Sequence, residues 1–260
     1  MKYYIFLIIF IIFIIFIVFY IINYMLRITE NFNENIIFLD NNSLYEILIS
    51  DKDNYYQRFY ENDKKTRNIK NIEHYKDYIK KSVINFDNID KEKIEKCIDK
   101  ANIFLKKINL NWFNGQKAIS IPWKLGCVTG KLYENGLPHT RDDIIIISKE
   151  NIKDYTEKKL IDTLIHEKVH LYQKIYIDDI QIYLDDNKFT RFKERDENDN
   201  IRANPDLDNW IYKDQNEKLY MANYKSNSKT IEDIIYTPIN SQSYEHPYEQ
   251  MAILIEKIKI

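Results

Sequence analysis

Two histidines separated by three residues, with a glutamate directly after the first, occur in the segment LIDTLIHEKVHLYQK, residues 160–174. Residues four apart on a helix share a face, so His166 and His170 can direct their imidazoles at one ion. Glu167 lies beside them, where its carboxylate can reach a metal-bound water without being a ligand. Zn²⁺ suits two neutral imidazoles, a third protein ligand and an open position for water. The segment therefore predicts a zinc centre in which Glu167 accepts a proton from water.

The alternative interpretation is an ordinary amphipathic helix that carries two histidines. Thr156 is a candidate N-cap, and apolar residues recur at helical spacing after it. These are Leu160, Ile161, Leu164, Ile165 and Leu171. The chain has only five histidines in 260 residues, so an H-E-x-x-H pattern is uncommon by chance. Because the pattern also lies on a predicted helix, as the motif requires, we favour the metal centre.

Strands are predicted on both sides of this helix in the sequence. Ile144 to Ile147 form a short β-branched run bounded by charges, which is typical of a strand buried on both faces. All four glycines lie between Gly115 and Gly136, so turn-rich, mainly β structure is expected over residues 110–148. Residues 210–213 and 218–224 are expected to form a β-hairpin. With helices before, between and after these strands, the predicted fold class is α+β.

Further helices are predicted at both ends of this region. Residues 70–107 favour two helices, of which the second follows Asp90 as a candidate N-cap. Its apolar stripe is Ile94, Cys97, Ile98, Ala101, Phe104 and Leu105. A last helix is expected to begin at Pro247, a residue favoured in a first turn. Residues 180–200 are charged and are expected to form an exposed loop.

The strand DIIIIS, the helix with HEKVH and a later helix with a glutamate together resemble the zincin metallopeptidases. The resemblance lies within residues 115–258. It implies a small β-sheet, a bound zinc ion and hydrolysis of peptide bonds in a peptide or protein substrate. In that group an edge strand before the motif helix pairs with extended substrate. The resemblance makes DIIIIS a candidate for this strand, with an ordinary central strand as the alternative.

The third zinc ligand is not part of the motif. The metzincin continuation H-x-x-G-x-x-H is absent, since LYQKIYID follows His170. The resemblance to the gluzincin group implies a glutamate from a later helix, and Glu249 is the best candidate. Ala252, three residues further on, leaves room for the motif helix, whereas Ile253 stands where thermolysin-like enzymes have Asp. The alternative to metal binding is that Glu249 only caps the first turn of its own helix. The other candidate ligands are Glu245 and His246.

Peptide hydrolysis also needs a donor for the negatively charged oxygen of the tetrahedral intermediate. His246 is close in sequence to Glu249, and His139 lies just before the strand DIIIIS. A structural role is the alternative for each histidine. Both are candidate catalytic residues beside Glu167.

The N-terminal segment predicts a membrane anchor over residues 1–27. Residues 3–26 contain no charge, and a helix of this length would span about 36 Å, against about 30 Å for a hydrocarbon core. No A-x-A-like site follows, which disfavours a cleaved signal peptide. Lys2 and the α-amine precede the segment and only Arg27 follows it closely, so the positive charges favour a single-pass protein with its catalytic domain on the non-cytoplasmic side.

The remaining chain divides by composition. Residues 28–65 are polar and are predicted to form a stalk, which leaves 66–260 as the zincin-like domain. The net charge of −2 indicates no nucleic-acid partner. Cys97 and Cys127 are expected to be buried free thiols, with one disulfide as the alternative. No CxxC pattern occurs, so the sequence does not support a cysteine zinc site.

The sequence thus predicts a membrane-anchored, zinc-dependent peptidase. His166, His170 and Glu249 would hold the zinc ion, and Glu167 would activate the water. One alternative is an inactive zincin-like binding domain, against which the intact Glu167 argues. A zinc hydrolase acting on a non-peptide bond is another, because H-E-x-x-H does not define the substrate. The last alternative is a membrane-tethered interaction module, in which the H-E-x-x-H pattern has arisen by coincidence.

Overall fold

A computed structural model describes residues 13–21, 35–237 and 246–258 of the chain. The chain divides into two compact units, Met1–Ile37 and Phe38–Ile260, and the second contains the histidine motif. The architecture is α+β, as the sequence predicts.

The described helices and strands are numbered here in chain order. The helices are α1 (Asn41–Ser50), α2 (Glu61–Thr66), α3 (Ile72–Ser82), α4 (Asn88–Leu105), α5 (Gly115–Ser120), α6 (Lys149–Asp154), α7 (Glu157–Ile175), α8 (Ile177–Asp186) and α9 (Pro247–Glu256). The strands are β1 (Ile36–Phe38), β2 (Val83–Ile84), β3 (Asn109–Leu110), β4 (Phe113–Asn114), β5 (Trp123–Val128), β6 (His139–Arg141), β7 (Ile144–Ser148), β8 (Thr190–Glu194), β9 (Trp210–Lys213), β10 (Leu219–Tyr224) and β11 (Ile234–Thr237). Strand β1 crosses the boundary between the two units.

In the larger sheet, β7 lies between β5 and β6. Strand β7 is parallel to β5 and antiparallel to β6, and all five of its residues are buried. The prediction of a strand buried on both faces is therefore confirmed. The assignment of DIIIIS as an edge strand is wrong, because β6 covers its outer side. Within the described residues, the edge of this sheet next to the motif helix is β6.

Helix α7 begins where the sequence predicts. The Thr156 side chain accepts a hydrogen bond from the Lys159 N–H, which caps the first turn. Helix α9 begins at Pro247, again as predicted, and packs against α7 with Met251 and Ala252 fully buried. Helices α3 and α4 match the two helices expected over 70–107. The cap of α4 differs, since Asp87 caps it and Asp90 lies in its first turn.

The smaller sheet follows the motif helix and has the strand order β11-β10-β9-β8. Strands β9 and β10 pair antiparallel, with Tyr220 opposite Tyr212, which confirms the expected hairpin. The prediction of an exposed loop over residues 180–200 is wrong. Helix α8 and strand β8 occupy most of it, because Ile180, Tyr183 and Leu184 form a buried helical face within the charged sequence.

The predicted stalk over residues 28–65 requires a correction from residue 38 onward. Helix α1 buries Leu44 and Leu48. Tyr55, Tyr56 and Phe59 belong to the same hydrophobic core, together with Tyr75 and Ile79. Gly126 of β5 permits the approach of α1, since a Cβ there would lie 2.5 Å from Leu44 Cδ1. The segment LYEILI, residues 44–49, thus lies in a helix that packs against the sheet.

The predicted membrane anchor over residues 1–27 is also wrong. In the part of the chain that the structure describes, no helix combines the length and the apolar character needed to cross a bilayer. The single-pass, non-cytoplasmic localisation depended on this anchor and falls with it. Residues 1–12 and 22–34 lie outside the described residues.

Both cysteines are free and buried, as expected. Burial raises the pKa of Cys97, and it raises the pKa of Cys127 to about 12. These thiols are therefore protonated near neutral pH and pack as apolar side chains.

Candidate metal centre

Three potential metal-binding atoms converge where α7 packs against α9. Nε2 of His166 lies 3.1 Å from Nε2 of His170 and 3.2 Å from Oε2 of Glu249, and the third separation, between His170 Nε2 and Glu249 Oε2, is 3.7 Å. Ligand atoms about 2.0–2.1 Å from a tetrahedral zinc ion lie about 3.3 Å from one another. The three atoms therefore have the spacing of three corners of a zinc tetrahedron.

The outer nitrogens of both histidines are held by acceptors. His166 Nδ1 lies 3.2 Å from Glu256 Oε2, and His170 Nδ1 lies 2.8 Å from Gln173 Oε1. The Gln173 amide donates through Nε2 to the Tyr248 carbonyl, which orients its oxygen toward His170. Each neutral imidazole then carries its proton on Nδ1 and its lone pair on Nε2. When both rings are neutral, two lone pairs 3.1 Å apart cannot form a hydrogen bond with each other, and a proton or a metal cation between them stabilises this arrangement.

Glu249 is ionised and fixed on both carboxylate oxygens. Oε1 accepts a hydrogen bond of 3.0 Å from Asn204 Nδ2, while Oε2 faces the two histidines. Burial raises the pKa of Glu249, but the nearby His170 and His166 outweigh it and hold that pKa well below its usual value. For His166, burial lowers the pKa, but hydrogen bonds with Glu249 and Glu256 raise it well above the usual value. The shift of His166 shows that the carboxylates favour positive charge between them, and the shift of Glu249 shows that this carboxylate stays ionised, so the site can hold a proton or a divalent cation.

Glu167 has the features of a group that exchanges protons with a bound molecule. Its side chain is only 4% exposed, and its Oε2 has no hydrogen-bond partner among the residues that the structure describes. Burial, together with the charge of Asp206, raises the pKa of Glu167 to about 8 despite the neighbouring histidines. A buried oxygen without a partner is costly, so Oε2 is available to a water or a substrate. A cavity of about 290 Å³ reaches Glu167, His166 and Glu249.

His139 lines the same cavity, but its ring is already engaged. Nδ1 lies 2.8 Å from the Leu137 carbonyl and Nε2 lies 3.1 Å from the Tyr133 hydroxyl. Burial lowers the pKa of His139, so the ring is neutral and carries one proton. With that proton given to Leu137, no N–H remains to stabilise an oxyanion, which disfavours the predicted catalytic role.

His246 lies away from this cavity and serves as a structural residue. Its Nδ1 accepts a hydrogen bond from the Tyr248 N–H at the start of α9, and its Nε2 lies 3.1 Å from Asp208. Among the described residues, those lining the 290 Å³ cavity do not include His246. In the structure His246 is thus the N-cap of α9, and it does not line the cavity that His166 and Glu249 face. Glu245, the other rival ligand, lies outside the described residues.

Several residues of the site are absent from the sequence prediction. These are Tyr155, Gln173, Asn204, Asp206 and Glu256. Helical spacing could have identified two of them, since Gln173 is three residues after His170 and Glu256 is seven after Glu249. Asn204 and Asp206 come from an irregular segment between β8 and β9 and carry no such signal.

The predicted residues thus separate into three groups. His166, Glu167, His170 and Glu249 come together, His139 is adjacent but engaged, and His246 is a helix cap. No protein-family model, no curated protein and no solved structure matches this chain. The chemistry of the site therefore has to be inferred from its own residues and distances.

Proposed function

We propose that this chain is a zinc-dependent metallopeptidase with a zincin-like arrangement of its active site. His166, His170 and Glu249 hold Zn²⁺, and the substrate is a peptide or protein. The observation that carries the proposal is the triangle of three ligand atoms, 3.1 to 3.7 Å apart, beside the unpartnered carboxylate oxygen of Glu167.

The set of donor atoms favours zinc over other divalent ions. Two imidazole nitrogens and one carboxylate oxygen match catalytic zinc sites, which have three protein ligands and one open position. Calcium and magnesium prefer oxygen ligands in larger number. Since His166 and Glu249 both line the 290 Å³ cavity, the open position faces a space that a substrate can enter.

Different residues around the cavity can perform the separate steps of hydrolysis. A bound zinc ion lowers the pKa of a coordinated water to about 7 and polarises a carbonyl oxygen. In its ionised form Glu167 accepts the proton of the attacking water at Oε2 and returns it to the leaving amine. Tyr155 lines the same cavity, and burial together with the charge of Glu167 raises its pKa, so its hydroxyl stays protonated. Tyr155 is our candidate donor to the oxyanion, in place of His139.

The proposal is tested with the full chain as wild type and as Glu167→Gln. Bound zinc is measured by elemental analysis after gel filtration, and a diverse peptide mixture is assayed for cleavage by mass spectrometry. Glu157→Gln is the matched control, because Glu157 is an exposed residue in the first turn of the same helix.

The expected result is about one zinc ion per chain in all three proteins, with cleavage by wild type and Glu157→Gln only. Wild type that binds no zinc on reconstitution would contradict the metal centre. Zinc binding without cleavage of any peptide would contradict the peptidase and favour a binding domain or a hydrolase of another bond.

A further inference from the structure

Residues 202–206, which we call the barrier segment, separate two cavities. All five residues, Arg202 to Asp206, line both the 290 Å³ cavity and a second cavity of about 480 Å³. His166, Glu167 and Glu249 line the first cavity and, in the described part of the chain, do not line the second. The candidate metal centre therefore opens into one compartment, and the barrier segment forms one end of it.

Buried charged residues hold the barrier segment in place. The Ala203 N–H donates to Asp63 Oδ1 (2.9 Å), and the Ala203 carbonyl accepts from Arg67 Nη2 (3.1 Å). Arg67 in turn donates twice to Glu134, at 2.8 Å each, and Asp63 is completely buried. Each of the two Ala203 hydrogen bonds joins the backbone to a buried charged group, and such a bond contributes about 1.5–3 kcal/mol. The barrier segment is thus a fixed part of the fold and does not have the weak attachment of a lid.

The same segment closes the edge of the sheet beside the motif helix. The backbone N–H and the side-chain hydroxyl of Thr140 in β6 both donate to Asp206 Oδ1, at 2.6 and 2.7 Å. The Thr140 carbonyl accepts from Lys174 Nζ at 3.2 Å. An extended peptide that adds to a sheet edge needs these outward N–H and C=O groups. Because Asp206 and Lys174 already occupy them, β6 cannot bind a through-running substrate strand at this position.

We infer that the site accepts the end of a peptide chain and removes residues from that end, an inference that rests on the proposed peptidase function. Cleavage inside a chain requires room for substrate on both sides of the metal. Here the barrier segment blocks one side, and a cavity of about 290 Å³ lies at the small end of the range for ligand pockets, about 300–1,000 Å³. The specificity-determining residues are Asp206, which caps β6, and Ala203, which anchors the segment.

The first test compares a linear peptide with the head-to-tail cyclic peptide of the same sequence. The zinc-loaded full chain is incubated with each, and products are followed over time by mass spectrometry. N-acetylated and C-amidated linear peptides identify the end that is recognised. We expect stepwise shortening of the linear peptide from one end and an intact cyclic peptide. Blocking the recognised end should slow cleavage at least about tenfold, as expected for loss of a charge-assisted contact.

Internal fragments as the first products, or cleavage of the cyclic peptide at a comparable rate, would overturn this inference and leave the peptidase intact. Zinc-loaded protein that cleaves no peptide at all would overturn both.

The second test removes the cap on β6. Asp206→Ala frees the Thr140 N–H, and internal cleavage of long peptides should then rise. Asp214→Ala is the matched control, because Asp214 Oδ1 also accepts two backbone N–H bonds, from Asn216 and Lys218, in the β9–β10 turn. This control should keep the wild-type product pattern. A folded Asp206→Ala protein with an unchanged pattern would contradict the role of Asp206, and if the variant does not fold, the wild-type result with the cyclic peptide decides.

Discussion

Glu256 Oε2 lies 3.2 Å from His166 Nδ1, on the opposite side of the imidazole from the candidate metal position. The other ring nitrogen of His166 lies 3.2 Å from Glu249 Oε2. The two glutamates are seven residues apart on α9, about two turns, so one face of a single helix holds both nitrogens of one ring. A carboxylate in the position of Glu256 fixes the ring orientation and increases the basicity of the nitrogen that faces the metal.

Glu256→Ala is therefore expected to weaken zinc binding by about 10- to 100-fold without removing a ligand. The measurement is a zinc titration in competition with a chromophoric chelator. Glu217→Ala, in an exposed turn, is the control and should bind zinc as the wild type does. Equal affinity in the two variants would show that Glu256 does not support His166.

Glu249→Ala should weaken zinc binding by more than about 100-fold relative to wild type, which is a larger loss than in Glu256→Ala. The reason is that Glu249 is itself a ligand, whereas Glu256 only orients one. The same competition titration measures both variants side by side. Unchanged affinity in Glu249→Ala would move the third ligand to another residue, such as Glu245.

The motif helix and the glutamate helix could be predicted because their signals are local. Thr156 and Pro247 mark the starts of α7 and α9, and the four-residue spacing of the histidines gives their shared face. The pairing of β7 was predictable only in part. A continuous apolar run indicates burial on both faces, but it does not say which neighbour forms the edge, and that neighbour proved to be β6.

The rest of the site depends on contacts between distant residues. Asn204 and Asp206 reach Glu249 and Thr140 from an irregular segment, where no periodicity signals a role. The stretch around Leu44 looked like a stalk because its composition is polar, although its few apolar residues lie on one helical face. Charge composition describes the exposed side of such a helix, and burial of the other side is decided by what packs against it.

His246→Ala should reduce stability by about 1 kcal/mol, the usual effect of removing an N-cap, and should leave zinc affinity unchanged. His246→Asn should recover most of the loss, since Asn caps helices well. Urea unfolding of the metal-free proteins measures the stability. If His246→Ala instead had wild-type stability and lost peptide cleavage, the catalytic role expected from the sequence would be restored.

Acid should destabilise the metal-free protein through Glu134. Burial raises the pKa of Glu134, but Arg67 outweighs it and the result is a pKa of about 2, against an ordinary value of 4.5. Because the folded-state pKa is depressed, the stabilisation is fully present above about pH 4.5 and is lost as pH falls toward 2. The shift corresponds to on the order of 3 kcal/mol.

The pH dependence of stability is measured by urea unfolding of the wild type and of Glu134→Gln, each with a chelator present. The variant should be less stable at pH 7, and its difference from wild type should shrink below pH 4.5. A difference that stays constant down to pH 2.5 would contradict the role of the Glu134 charge.

X-ray absorption at the zinc edge, on the full chain loaded with one equivalent of zinc, tests the metal centre most directly. We expect two imidazole nitrogens and one carboxylate oxygen at about 2.0–2.1 Å, with a fourth light atom from solvent. A His166→Ala, His170→Ala double variant should lose the imidazole signal. A spectrum without imidazole scattering in the wild type, or one unchanged in the double variant, would contradict a zinc centre at His166, His170 and Glu249.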